Sequence, residues 1–233
     1  MKKMTKKVLA VVASMAIMCM TLTGCGSKMA PANETVGALF ELAAKSNPAP
    51  MKDLLGFASE EDVYSAFFEE GAETELVDEL SSQLTSAGVN LTEEELQKIT
   101  DSMTEVLNKI NYTTEITSES SDQVTVSLKI YGYSLDDMNQ VMIDASTTMM
   151  NSITEEDQLA AAGGDTEVLT KYMQQYISDF LAGLSAMELK TEPVEVTVVC
   201  EKLAVDVSGK ETAAWLPSDM NTFSNQIDEA MFQ

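Results

Sequence analysis

Apolar residues recur at spacings of three and four over most of the chain and switch to strict alternation in two places. Val36, Leu39, Phe40 and Ala43 predict a helix over 34–45, closed by Pro48 and Pro50. Ser59-Glu60-Glu61-Asp62 predicts the start of a second helix, with Val63, Phe67 and Phe68 inward. Over 72–87, Leu76, Val77, Leu80 and Leu84 share one face, and Gly88 follows where a left-handed C-cap is needed. Thr92 and Glu95 have the spacing of a capping box, with Leu91 and Leu96 placed as a hydrophobic staple. Leu96, Ile99, Met103, Val106 and Ile110 then form the seam of a helix packed nearly parallel to its neighbours.

The period becomes two at 111–118 and 123–131, on either side of the polar turn Glu119-Ser120-Ser121-Asp122. Val124, Val126, Leu128 and Ile130 share one face; Thr125, Ser127 and Lys129 share the other, which predicts a β-hairpin. Ser134-Leu135-Asp136-Asp137 returns the chain to helix, with a stripe of Leu135, Met138, Met142, Ala145 and Met149. Gly163-Gly164 interrupts, and 166–188 carries paired apolar positions at 168/169, 172/173, 176/177 and 180/181. A second hairpin follows: Val194, Val196, Val198 and Cys200 alternate with Glu195, Thr197, Val199 and Glu201, the chain turns near Ser208-Gly209, and 211–216 returns with Trp215 near its end. Pro217 stops that strand, and Ser218-Asp219 opens a last helix with Met220, Phe223, Ile227 and Met231. The order predicts an α+β fold: a four-stranded antiparallel sheet from two hairpins, long helices on one face, and a helix-rich N-terminal half. No internal boundary is visible, so 34–233 reads as one acidic domain.

The chain opens differently. Lys2, Lys3, Lys6 and Lys7 precede an apolar run at 8–22, and no acid occurs before Glu34. A basic head and a short apolar run make a secretory signal, because a membrane-spanning helix needs about 20 apolar residues. The run ends in Leu22-Thr23-Gly24-Cys25, which resembles the lipobox of bacterial lipoproteins. That resemblance implies recognition of Leu22, Thr23 and Gly24 by a signal peptidase and cleavage after Gly24. It also implies diacylglyceryl transfer to Cys25, with palmitate-type acyl chains. A cysteine suits that chemistry because a thiolate is the nucleophile. Cys19 lies inside the apolar run without the Leu-x-Gly context. Residues 1–24 then form the signal peptide, and 25–33 the lipidated cysteine with a flexible tether. The eight tether residues after Cys25 reach about 15 Å. The expected location is the outer face of the cytoplasmic membrane, in the cell envelope, with the lipid as membrane partner.

Charge narrows the partners. The chain has no arginine and no histidine, and its formal net charge is −24. Without residues 1–24, ten lysines remain against all 38 acids, a net −28. Such a chain repels nucleic acid and anionic lipid, so the acyl chains must supply the adhesion, and two buried chains suffice for stable anchoring. Cys200 is left as the lone thiol of the mature chain.

The second half of the chain resembles an uncharacterised family of lipid-anchored proteins of Gram-positive bacteria. The matching residues are Val124-Thr125-Val126, Leu135-Asp136-Asp137, Val194-Glu195-Val196-Thr197-Val198, Gly209-Lys210 and Trp215. The resemblance implies a nuclear-transport-factor-2-like or cystatin-like α+β architecture and brings no catalytic residue. In the family pattern the tryptophan follows Gly-Lys almost at once; here Glu211 to Ala214 intervene.

The remaining constellations read as structure. The acid runs at Glu60-Glu61-Asp62, Glu93-Glu94-Glu95, Asp136-Asp137 and Glu155-Glu156-Asp157 each follow a Ser or Thr at a helix start, where carboxylates complement the helix dipole. The Met138, Met142 and Met149 stripe reads as core filling, not a soft-metal site. Cys200 falls in strand phase with three valines and has no histidine to activate it, so it reads as an inert core thiol. Trp215, Met220 and Phe223 either close the core or line a pocket between the sheet and the last helix. No metal or cofactor beyond the lipid is expected. Three roles follow: an envelope interaction domain, a small-molecule binder with a pocket between sheet and helices, and a carboxylate-based hydrolase.

Overall fold

Alternation at 123–131 and 194–200 becomes the centre of one antiparallel sheet. The computed structural model describes residues 29–68, 82 and 92–233. Strands β1 (Asn111–Glu119), β2 (Gln123–Tyr131), β3 (Val194–Val207) and β4 (Lys210–Pro217) lie in the order β1-β2-β3-β4. Two hairpins distant in sequence meet along β2 and β3, where Val124 faces Cys200, Val126 faces Val198 and Leu128 faces Val196. All of these side chains are buried, which pins the register, since a one-residue slip would turn them to solvent. The β3–β4 turn has Ser208 at φ 55° and Gly209 at φ 82°, the left-handed pair of a two-residue hairpin. Asp206 Oδ1 accepts from the Gly209 N–H at 2.6 Å.

Eight helices are present among the described residues: α1 (Ala32–Lys45), α2 (Ala49–Leu55), α3 (Glu60–Phe67), α4 (Glu93–Lys109), α5 (Leu135–Ser152), α6 (Glu155–Ala162), α7 (Thr166–Ala186) and α8 (Met220–Met231). The fold is α+β with one four-stranded antiparallel sheet, as expected. Contacts group the chain into two compact units. The first holds α1–α3, the sheet and α8; the second holds α4–α7.

In the first unit, α1 and α8 lie against the strands. Nine residues of α1 are buried, among them Val36, Leu39, Phe40 and Leu42. A helix apolar nearly all round belongs inside, so this short segment is a core element. In α8, Met220, Phe223, Ile227 and Met231 are buried, as their spacing predicts. In the second unit, α5 and α4 pack on α7. A Cβ on Gly183 of α7 would come within 2.5 Å of Val141 Cγ1, so glycine lets these two helices close up.

Several local expectations change. α1 begins at Ala32, which is buried, so the tether ends sooner than residue 33. α1 closes at Ser46 in the left-handed region, and Pro50 sits in the first turn of α2. Proline is tolerated there because that turn needs no N–H donor from it. Phe68 falls just beyond α3 and is only half-buried. The long helices α4, α5 and α7 pack on one another within the second unit, and the sheet's own unit supplies α1 and α8 to it. The inward phase of β3 shifts at Glu201 and Lys202, both exposed, after which Ala204, Val205 and Val207 are buried. The signal peptide, the lipobox, the helix over 72–87, the Gly88 cap and the Leu91 staple lie outside the described residues.

Candidate functional site

The lipobox residues Leu22, Thr23, Gly24 and Cys25 lie outside the described residues. The other named group is described in full. Trp215 is 7% exposed, Met220 8% and Phe223 2%. Trp215 pairs with Lys202 across β3 and β4, and the Lys202 ammonium sits 5.1 Å from the centre of its ring. Met220 and Phe223 occupy the first turns of α8.

The acid runs sit at helix starts. Ser59 and Asp62 form a reciprocal capping box. Thr92 Oγ1 accepts from the Glu95 N–H at 3.3 Å while Glu95 Oε2 accepts from the Thr92 N–H at 2.8 Å. Ser134 caps α5 through the Asp137 N–H, and Thr154 caps α6 through the Asp157 N–H. The hydrogen bonds from Thr92 hold the Glu95 carboxyl below its ordinary range. Among the described residues, no group of three or more His, Cys, Asp or Glu side chains is placed to hold a metal ion. Cys200 is buried, and burial pushes its thiol up to about 12, so it carries no thiolate at neutral pH.

One carboxyl escapes this pattern. Asp228 on α8 is half-buried, and burial, then the charge of Glu229, pushes its carboxyl up to about 7. Unfolded, it ionises near pH 4. Between pH 4 and 7 the native state holds the extra proton, so stability falls as pH rises through that window and levels off above it. Asp228→Asn is expected to leave stability at pH 4 unchanged and to raise it at pH 8 by on the order of 2 kcal/mol, the carboxyl being still partly wetted. Parallel urea titrations at the two pH values check this; equal midpoint shifts at both would overturn it.

The methionine stripe departs from expectation. Met138, Met142 and Met149 are half-buried, and Ala145 is the one buried residue of α5. Met149 instead lines an open groove of about 370 Å³ formed by the end of α5, α6 and the start of α7. Ile153, Ala161, Val168, Leu169 and Met173 make its wall with the Tyr172 ring. Its carboxylate, Asp157, is already engaged. Tyr172 Oη donates to Asp157 Oδ2, Thr154 Oγ1 donates to the same oxygen at 2.7 Å, and Lys171 Nζ stands 3.8 Å away. The hydrogen bond from Tyr172 is the main cause holding the Asp157 carboxyl low, and it raises the Tyr172 hydroxyl in turn. The groove therefore offers apolar surface and no free catalytic group. Leu169 in its wall is 49% exposed, and Leu159, between the lining residues Gln158 and Ala161, is 76% exposed.

A second groove of about 460 Å³ runs between α4 and α7 and is more polar. Its amide and charged groups are paired: Gln174 Nε2 donates to Glu95 Oε1 at 2.6 Å, and Lys98 binds Glu94 at 2.8 Å. The apolar groove was missed by sequence reasoning. Its one visible signal was the doubled apolar positions 168/169 and 172/173, a face broader than a single packing seam requires.

No family model matches the chain, and no curated protein matches it. Among solved structures it is similar to the Bacillus subtilis subsp. subtilis str. 168 protein ycdA, described as a "putative lipoprotein". The TM-score is 0.49 at 14% identity, over 87% of this chain and 56% of that one. The chain thus spans about half the length of that protein.

Proposed function

We propose that this chain is a lipoprotein of the bacterial cell envelope. Cys25 holds it on the outer face of the cytoplasmic membrane, and its folded part is a non-catalytic binding module that docks another protein. The observation that carries the anchor is the order of four lysines, an apolar run and Leu22-Thr23-Gly24-Cys25. Among the described residues no helix is long and apolar enough to cross a membrane. A module of this charge then depends on acyl chains for attachment. The interaction role rests on the open apolar groove with exposed Leu159 and Leu169 beside it. A non-catalytic role is supported by the buried Cys200 thiol, the absence of histidine and the engaged Asp157.

The test is metabolic labelling with palmitate followed by fractionation. The native chain should carry label and sediment with membranes. Cys25→Ala should lose the label and appear as a soluble protein or an uncleaved precursor. Undiminished label and membrane retention in that variant would falsify the anchor.

A further inference from the structure

We infer that the apolar groove between α5, α6 and α7 takes a cationic amphipathic helix of a partner protein. This inference rests on the interaction reading above and names the partner's chemistry. The groove wall is aliphatic and methionine-rich, from Met149, Ile153, Val168, Leu169 and Met173. Methionine side chains adapt to varied apolar shapes. Its volume of about 370 Å³ admits a few side chains, the anchors of one helix face, and not a domain.

The flanks decide the sign of the partner. Glu155 and Glu156 precede Asp157 in the first turn of α6, and Asp165 and Glu167 precede Val168 at the start of α7. All four are exposed. The nearby cation, Lys171, already stands by Asp157. Asp165 caps α7 by accepting from the Glu167 and Val168 N–H groups, yet a partner seated in the groove still meets a surplus of carboxylates at both helix starts. A second copy of the lipidated chain, at net −28 without residues 1–24, is repelled there, as is any anionic surface. Apolar anchors at i, i+3/i+4 and i+7 with lysine or arginine along their edges satisfy both the wall and the flanks.

The experiment uses the full lipidated chain in zwitterionic nanodiscs, with empty discs as blank and methionine methyls labelled for NMR. Three synthetic helical peptides share one leucine pattern and differ only in carrying lysine, glutamine or glutamate elsewhere. The lysine peptide should shift the Met149 and Met173 methyls and bind about tenfold or more tighter than the glutamate peptide at low salt, with the gap closing as salt rises. Leu169→Glu, at an exposed position, should abolish the shifts. Glu155→Gln with Glu156→Gln should shrink the lysine preference while leaving the leucine-dependent shifts. Equal binding of the three peptides overturns the cationic partner. Shifts confined to methionines outside the groove overturn the site. If no peptide shifts either methyl while Cys25 still takes palmitate, this inference fails and the anchor stands; loss of label with intact peptide binding fails the anchor alone.

Discussion

Gly132→Ala is expected to lower the stability of the sheet-bearing unit by about 3 kcal/mol or more, a melting-temperature drop of roughly 6–12 °C. Gly132 directly follows β2 and is buried. A Cβ there would lie 2.2 Å from the Met231 carbonyl oxygen, 2.7 Å from its carbon and 2.8 Å from its Cα. These are backbone atoms at the end of α8, so no rotamer change relieves the clash. Either the last turn of α8 lifts off, exposing Ala230 and Met231, or the end of β2 moves and disturbs its register. Against a typical total stability of about 5–15 kcal/mol, that is a large loss. Trp215 is the single tryptophan of the chain, buried in this same unit, so its fluorescence reports the relevant transition. Gly209→Ala is the control. Its Cβ meets nothing within 4 Å, and the cost there is only the left-handed φ of 82°, about 1 kcal/mol. Similar melting shifts for the two variants would mean that the approach of α8 to β2 is looser than described.

How much of this was legible in advance depended on whether a signal was local. The hairpin ends at Glu119–Gln123 and Ser208–Lys210 were readable because turn residues interrupt a period of two. The starts of α3, α4, α5, α6 and α8 were readable because each carries its own cap, from Ser59 to Asp219. Residues whose role depends on a partner far along the chain were not readable. The apolar residues from Val36 to Ala44 suit a buried helix, but nothing in them says which strands α1 lies against. That the two hairpins share one sheet was expected, but not which strands meet: β2 pairs with β3 across three intervening helices. The groove was hidden for a related reason. A half-buried methionine such as Met149 and a core methionine show the same period, and only the arrival of α6 and α7 distinguishes them. Trp215, Met220 and Phe223 carried the same ambiguity between pocket and core in sequence, and all three are buried.

Lys45→Met is expected to cost about 3 kcal/mol, although the residue reads in sequence as an ordinary charge ending a helix. Lys45 Nζ lies 2.9 Å from Glu41 Oε1, with the two side chains only 10% and 16% exposed. Asn47 Nδ2 donates to the other carboxylate oxygen at 3.0 Å. The same ammonium stands 5.6 Å from the Tyr112 ring centre and 5.9 Å from that of Phe40. Tyr112 Oη donates to the Gly37 carbonyl at 3.2 Å, and burial, then the charge of Glu41, pushes its hydroxyl up to about 12. A charge is therefore enclosed between α1 and β1, and removing one partner leaves the other desolvated and poorly compensated. The effect is a property of the pair and not of lysine packing, so a double-mutant cycle separates the two. Glu41→Leu together with Lys45→Met replaces both charges by apolar side chains of similar reach. It should recover most of the loss, leaving the double variant within about 1 kcal/mol of the native chain; with each single loss near 3 kcal/mol, the coupling is then about 5 kcal/mol. Urea midpoints read from Trp215 fluorescence supply the four corners of the cycle. Strictly additive losses would show that Glu41 and Lys45 act independently, and that the enclosure of this pair contributes nothing to holding α1 against β1.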